Sequence, residues 1–80
     1  MKINTLFFGV TADIVGKSNL IIDTEISATV AVFKNQLLGM YPQLKDNLSF
    51  AIAVNETYAE DVLVLKENDV VAIIPPVSGG

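Results

Sequence analysis

The architecture of this chain is set by the stretch Val70-Val71-Ala72-Ile73-Ile74-Pro75-Pro76, close to its C-terminal end. Five successive apolar residues predict a central β-strand that is covered on both faces. The two prolines then end strand pairing, because proline has no N–H group to donate to a neighbouring strand. The preceding residues 66–69 predict a turn in which Asn68 adopts left-handed backbone geometry.

Working outward from this strand, polarity patterns predict the other elements. Residues 2–9 alternate and predict a strand that buries Ile3 and turns Leu6 and Phe8 the other way. Apolar residues recur at spacings of three and four over residues 29–41, which predicts a helix that Thr29 or Ser27 caps and Pro42 ends. The remaining predicted elements are a loop over residues 9–17, a strand over 19–23, a strand over 50–54 and a short edge strand over 63–65. The residues predicted to form the core are Val30, Phe33, Leu37, Phe50, Ile52 and Val54.

This order of elements predicts an α+β fold. One main helix packed across one mixed sheet is the two-layer solution for such a chain, and it corresponds to the β-grasp, or ubiquitin-like, architecture. The 80 residues suffice for a single domain, which we predict over residues 1–74. Residues 75–80 then form an extended tail that ends in Gly79-Gly80.

The composition excludes several classes of function. The chain has neither cysteine nor histidine, so the most reactive nucleophile and the commonest general base and metal ligand are missing. The net charge is −4 and the five lysines are dispersed, which argues against nucleic-acid binding and favours a partner protein with a basic docking surface. The sequence contains neither a signal peptide nor a membrane-length apolar run, so we expect a cytoplasmic protein. Because cysteine and histidine are missing, we also expect no bound metal or cofactor.

The tail Pro75-Pro76-Val77-Ser78-Gly79-Gly80 is the most informative segment for function. Six residues span roughly 20 Å when extended, and the two prolines favour a stiff exit from the domain. Gly79 and Gly80 lack side chains and could enter a channel too narrow for other residues. A Gly-Gly end alone more often indicates only a frayed terminus. The proline pair after a central strand, in a chain without ordinary catalytic groups, favours a working carboxyl at Gly80 instead.

These residues carry a family resemblance over essentially the whole chain. The stretch from Asp69 to Gly80 is similar to the closing motif of the small, sulfur-carrier subunit of molybdopterin synthase, the MoaD type within the ubiquitin-like sulfur carriers. The chain departs from the family at Asn68, where many members have glycine. Further matches are Leu6-Phe7-Phe8, Thr29-Val30 with Phe33 and Leu37, Tyr41-Pro42, and Ala53-Val54-Asn55.

The resemblance implies a role as a sulfur donor. An activating enzyme would use ATP to adenylate the carboxyl of Gly80, and sulfide would then replace AMP to leave a thiocarboxylate. The tail, including Pro75, Pro76, Val77 and Ser78, would insert into the large subunit of the synthase. There the sulfur would pass to cyclic pyranopterin monophosphate (precursor Z) to form the molybdopterin dithiolene. The resemblance also implies a heterotetramer with two copies of each subunit, with the catalytic groups on the large subunit.

A docking surface is predicted beside the tail. Leu6, Phe8 and Ile74 would form an exposed apolar patch if the first and last strands are neighbours. The alternative is that these residues are ordinary core, covered by the segment Val10 to Val15. The resemblance favours an interface and adds Tyr58 to it. Glu56, Glu60 and Asp61 could suggest acid–base or metal chemistry, but acidic loop residues are more often simply solvated.

Three other functions stay open at this stage. The first is a sulfur carrier for thiamine synthesis or tRNA thiolation; the resemblance disfavours the thiamine case, because thiamine carriers usually lack the proline pair and are shorter. The second is a ubiquitin-like modifier that is joined to target lysines through the same carboxyl. The third is a β-grasp interaction module with an inert tail, for which deletion of Gly80 would have no effect on activity.

Overall fold

The structure, a computed structural model, describes residues 1–47 and 49–76. These residues form one sheet of five strands, together with three helices. In chain order the elements are β1 (Lys2–Phe7), α1 (Val10–Val15), β2 (Asn19–Asp23), α2 (Val30–Met40), α3 (Gln43–Asn47), β3 (Ala51–Val54), β4 (Thr57–Tyr58) and β5 (Val70–Ile74).

The sheet has the strand order β2-β1-β5-β3-β4. Strands β1 and β5 are parallel central neighbours, and every other neighbouring pair is antiparallel. A mixed sheet with one main helix confirms the predicted α+β, β-grasp fold. Strand β5 ends at Ile74, directly before the proline pair, as the missing N–H groups predict.

The core lies between the sheet and helix α2. The helix begins after Thr29, whose side-chain oxygen accepts a hydrogen bond from the backbone N–H of Val32 at 3.3 Å, so Thr29 and not Ser27 is the cap. Five of the six predicted core residues are buried, whereas Phe50 is only half-buried and packs against the edge of the core. The buried five are Val30, Phe33, Leu37, Ile52 and Val54.

Two short helices replace segments that were predicted as loop or not predicted at all. Residues 10–15 form α1 between two glycines with positive φ, because Gly9 supplies the N-cap and Gly16 the left-handed C-cap. Residues 43–47 form α3 directly after Pro42, which fits because proline is tolerated in the first turn of a helix.

The predicted edge strand over residues 63–65 is wrong. Its backbone groups bond to the segment that leads into α2: the carbonyl of Leu63 accepts from the N–H of Val30, and the N–H of Leu65 donates to Ala28, each at 2.9 Å. A single isolated bridge joins Thr29 and Val64. The edge of the sheet is instead the two-residue strand β4.

The prediction that β5 is covered on both faces is also wrong. Val71 and Ile73 are buried under the helical layer, whereas Val70 is 36% exposed and Ala72 and Ile74 are half-buried. The helices supply one layer, so the other face of the sheet faces solvent.

Asn68 has φ 69°, which confirms the left-handed turn before β5. In the described parts of the chain, no helix is long and apolar enough to cross a membrane.

Candidate docking surface at the base of the tail

The strand register brings apolar residues from four strands together on the open face. In one row across the sheet, Leu6 lies opposite Ala72, Ala72 opposite Ala53, and Ala53 opposite Tyr58. In the next row, Ile74 lies opposite Ala51. Residues that are directly opposite in a sheet share a face, so both rows lie on the open face, where Ala53 is buried among its neighbours.

Phe8 extends the row of Ile74 beyond the end of β1, because alternation puts it on the same face as Leu6. The backbone N–H of Phe8 donates to the carbonyl of Ile73 at 3.3 Å, which continues the pairing of β1 with β5 by one residue. A groove of about 370 Å³ runs along the same end of the sheet, and Ala51, Tyr58, Ile74, Pro75 and Pro76 contribute to its walls. We call the set Leu6, Phe8, Ala51, Tyr58, Ile74 and Pro75 the tail-base surface.

The tail-base surface is accessible. Phe8 is 48% exposed and Tyr58 72% exposed, while Leu6, Ile74 and Pro75 are half-buried. The alternative in which residues 10–15 cover Leu6, Phe8 and Ile74 therefore does not hold for Phe8. Exposed aromatic residues beside half-buried aliphatic ones are typical of protein-binding surfaces, where aromatic side chains contribute most of the affinity.

The other end of the open face carries the polar residues Lys2, Asn4 and Asp23, with Ile21 and Val70 exposed beside Asn4. Asp23 accepts a hydrogen bond from the terminal amino group of Met1 at 3.3 Å and lies 3.6 Å from the ammonium group of Lys2. That hydrogen bond, together with the nearby positive charges, lowers the pKa of the Asp23 carboxyl below its ordinary value. The change from Lys2 and Asn4 to Leu6 and Phe8 along β1 thus separates a polar end from an apolar end.

The structure gives no catalytic arrangement to the acidic residues of the β4 region. Glu56, Glu60 and Asp61 are all exposed. Within residues 1–47 and 49–76, no three His, Cys, Asp or Glu side chains lie close enough together to hold a metal ion. The expectation that these carboxylates are simply solvated fits their exposure.

The four residues predicted to form one surface, Leu6, Phe8, Tyr58 and Ile74, all lie on the open face of the sheet. Ala51 joins them through strand register, which the sequence does not give, although alternation predicts that Ala51 lies opposite the core face. Pro75 and Pro76 lie at the edge of the same surface. The remaining predicted site residues, Val77, Ser78, Gly79 and Gly80, lie outside the described residues.

Comparison of the sequence with known proteins identifies a family and relatives of this chain. A sequence model of the ThiS family matches residues 5–80. The molybdopterin synthase sulfur carrier subunit of Dictyostelium discoideum is 33% identical over 79 residues, which cover 94% of this chain and 92% of that protein.

Two solved structures agree with the fold. SAMP1 from Haloferax volcanii superposes with a TM-score of 0.89 over all of both chains, at 24% identity. A chain from the complex of subunits 1 and 2 of the molybdopterin-converting factor of Helicobacter pylori superposes with a TM-score of 0.71, again over all of both chains, at 28% identity. With the family match over residues 5–80 and the relative that is 33% identical, these findings lead to one conclusion: the chain belongs to the ThiS family.

Proposed function

We propose that this chain is the sulfur-carrier subunit of a molybdopterin synthase, with the terminal carboxyl of Gly80 as the sulfur-bearing group. Membership of the ThiS family and the likeness to molybdopterin synthase sulfur carrier subunits support this function. The structural observation that carries it is the apolar tail-base surface beside the point where the chain leaves the sheet. A surface there can hold a partner while the following residues reach into it.

The proposed chemistry of this chain takes place at its terminal carboxylate. A carboxylate is a poor acyl donor because its oxygen is a poor leaving group. In the proposed sequence, the Gly80 carboxylate attacks ATP on an activating enzyme, pyrophosphate leaves, and an acyl-adenylate forms. Sulfide then displaces AMP and leaves the thiocarboxylate. Two sulfur transfers to cyclic pyranopterin monophosphate, one sulfur from each of two thiocarboxylated chains, build the dithiolene, and one water per transfer supplies the oxygen that returns Gly80 to the carboxylate.

The proposed partner is the large subunit of the synthase. The H. pylori neighbour is a complex of subunits 1 and 2 of the molybdopterin-converting factor, which supports an assembly of this kind. In our proposal residues 1–74 dock, residues 75–80 deliver the carboxyl, and two copies of each subunit form a cytoplasmic heterotetramer. The net charge of −4 suits a partner with a basic docking surface.

The test is the intact mass of the chain, purified from cells that overproduce it with its activating enzyme. We expect the mass gain of one oxygen-to-sulfur exchange, and we expect a variant that lacks Gly80 to show none. An Ile22→Val variant, a mild truncation of a buried residue that leaves the whole tail unchanged, is the control and should still gain sulfur. An unmodified wild-type mass under these conditions would refute sulfur carriage.

The acceptor is tested in a second step. The thiocarboxylated chain is mixed with the large subunit and cyclic pyranopterin monophosphate, and the dithiolene product is measured. Product formation supports molybdopterin synthesis. A sulfur-loaded chain that gives no product here but thiolates tRNA or a thiamine precursor would point to the alternative carriers, and mass-detected lysine conjugates would point to a modifier.

A further inference from the structure

The end of β5 is held by the turn that joins β1 to α1. Parallel pairing of these strands ends with Phe7 opposite Ile73. The next contacts come from the turn itself: the N–H of Phe8 donates to the carbonyl of Ile73 at 3.3 Å, and the hydroxyl of Thr11 lies 3.3 Å from the same carbonyl oxygen. This carbonyl lies two residues before Pro75.

Thr11 connects both sides of this junction through one buried hydroxyl. Its side chain is fully buried. The oxygen accepts the N–H of Phe8 at 3.0 Å, and the hydroxyl can donate to the carbonyl of Phe8 at 2.5 Å or to that of Ile73. Removal of this buried hydroxyl costs free energy, because the carbonyl to which it donates loses a hydrogen bond without gaining water, and the N–H of Phe8 keeps only its longer bond to Ile73.

Gly9 brings the same turn into contact with the first residue of the tail. A Cβ atom built on Gly9 would lie 3.2 Å from Cγ of Pro75, closer than side chains normally pack. Gly9 also has φ 54° and ψ −134°, the geometry of the first central residue of a type II′ turn, which favours glycine. The N–H of Thr11 closes that turn on the carbonyl of Phe8 at 3.1 Å.

We propose that Thr11 and Gly9 are positioning residues for sulfur delivery: together they fix the direction in which Pro75 and Pro76 leave the sheet. This role rests on the proposed function, because it concerns how the tail reaches the partner. Thr11 fixes Phe8 through the N–H and carbonyl groups of that residue, and the N–H of Phe8 in turn holds the carbonyl of Ile73. Gly9 leaves the space in which the ring of Pro75 lies against the turn. The stiffness of two successive prolines then carries that direction outward.

The first measurement is local and does not depend on sulfur chemistry. In the Thr11→Val variant, which keeps the shape and removes the hydroxyl, we expect amide hydrogen exchange at Phe8 to be about tenfold faster, as loss of a buried hydrogen bond implies. The nuclear Overhauser contact between Gly9 and Pro75 should weaken. Thr11→Ser keeps the hydroxyl and should behave as wild type.

The second measurement is the single-turnover rate of sulfur transfer in the complex with saturating large subunit. We expect sulfur transfer by Thr11→Val to be about tenfold slower, because loss of the same buried hydrogen bond loosens the start of the tail. Thr11→Ser should restore the rate. Gly9→Ala, with Thr11 intact, should also be slower because its methyl group displaces Pro75. Two controls should transfer at the wild-type rate: Thr24→Val, another buried threonine, and Ile22→Val, a mild core truncation in β2.

Three results would overturn the proposal. Wild-type exchange at Phe8 and an intact Gly9–Pro75 contact in Thr11→Val would show that the hydroxyl does not hold the junction. A loosened junction with an unchanged transfer rate would show that the exit direction is unimportant for delivery. If the wild-type chain itself transfers no sulfur, the proposed function fails together with this role, and the wild-type rate distinguishes that case from failure of Thr11 and Gly9 alone.

Discussion

Replacement of Tyr58 by alanine should weaken binding to the large subunit without disturbing the fold. Tyr58 lies on the edge strand β4 and is 72% exposed, so most of its side chain contributes nothing to the core. A tyrosine side chain buries about 200 Å² when fully covered, of which roughly 100 Å² would be exposed apolar ring here. At about 25 cal/mol per Å², covering that area contributes about 2.5 kcal/mol to docking.

This free energy corresponds to an increase of about seventyfold in the dissociation constant. The assay is calorimetric titration of the full chain against the purified large subunit, with urea unfolding of each variant to confirm that stability is retained. Tyr58→Phe keeps the ring and should stay within about threefold of wild type, because the apolar area is almost unchanged.

Ile21→Ala is the matched control for position. Ile21 is 62% exposed and lies on the same open face, but on the opposite edge strand, β2. We expect it to bind normally. A normal dissociation constant for Tyr58→Ala combined with weak binding of Ile21→Ala would refute the assignment of the tail-base surface. It would place the interface at the β2 edge of the open face instead.

Three further predictions concern the stability of the fold. Asn68, with φ 69°, should tolerate Asn68→Gly, whereas Asn68→Ala should lower the free energy of unfolding by about 1 kcal/mol in urea titrations, because a Cβ disfavours left-handed backbone. The lowered pKa of Asp23 stabilises the folded state fully above the unfolded value of 3.8, and this contribution is lost as the pH falls through the folded pKa. Asp23→Asn should therefore flatten the acid side of the curve of stability against pH. Phe33→Ala, at a position 1% exposed, should cost about 3–5 kcal/mol and abolish most cooperative thermal unfolding, whereas Phe33→Leu should cost less.

The elements that could be predicted are those whose periodicity extends over several residues. Alternation in β1, the three-and-four spacing in α2 and the stop at Pro75 each reflect a local physical rule, and the structure contains all three of these features. Helices α1 and α3 have six and five residues, too few for a helical repeat to emerge from the sequence. Gly9 and Gly16, read from sequence alone, indicate a loop, although their positive φ serves to begin and end a helix.

The errors elsewhere have tertiary causes. Residues 63–65 have the composition of a strand, yet their backbone hydrogen bonds go to the segment that leads into α2, and the sequence of these residues alone carries no sign of that competition. The tail-base surface was partly predictable, since alternation identifies Leu6 and Phe8 as outward residues. The proposed role of Thr11 could not be predicted from the sequence, because its contact with Ile73 joins residues 62 positions apart.

The tail-base surface is accessible because the sheet has one open face. A second helical layer would have buried β5 on both sides, as its apolar sequence first suggested, and would have left no place for a partner beside the tail. With a single layer, the outward residues of β1 change from Lys2 and Asn4 to Leu6 and Phe8 in the direction in which the parallel strand β5 runs toward Pro75. The apolar end of the face and the start of the tail therefore coincide. Because any partner that covers Tyr58 and Phe8 also meets Pro75, docking on the sheet and delivery by the tail are coupled by geometry, and a mutation that weakens one should slow the other.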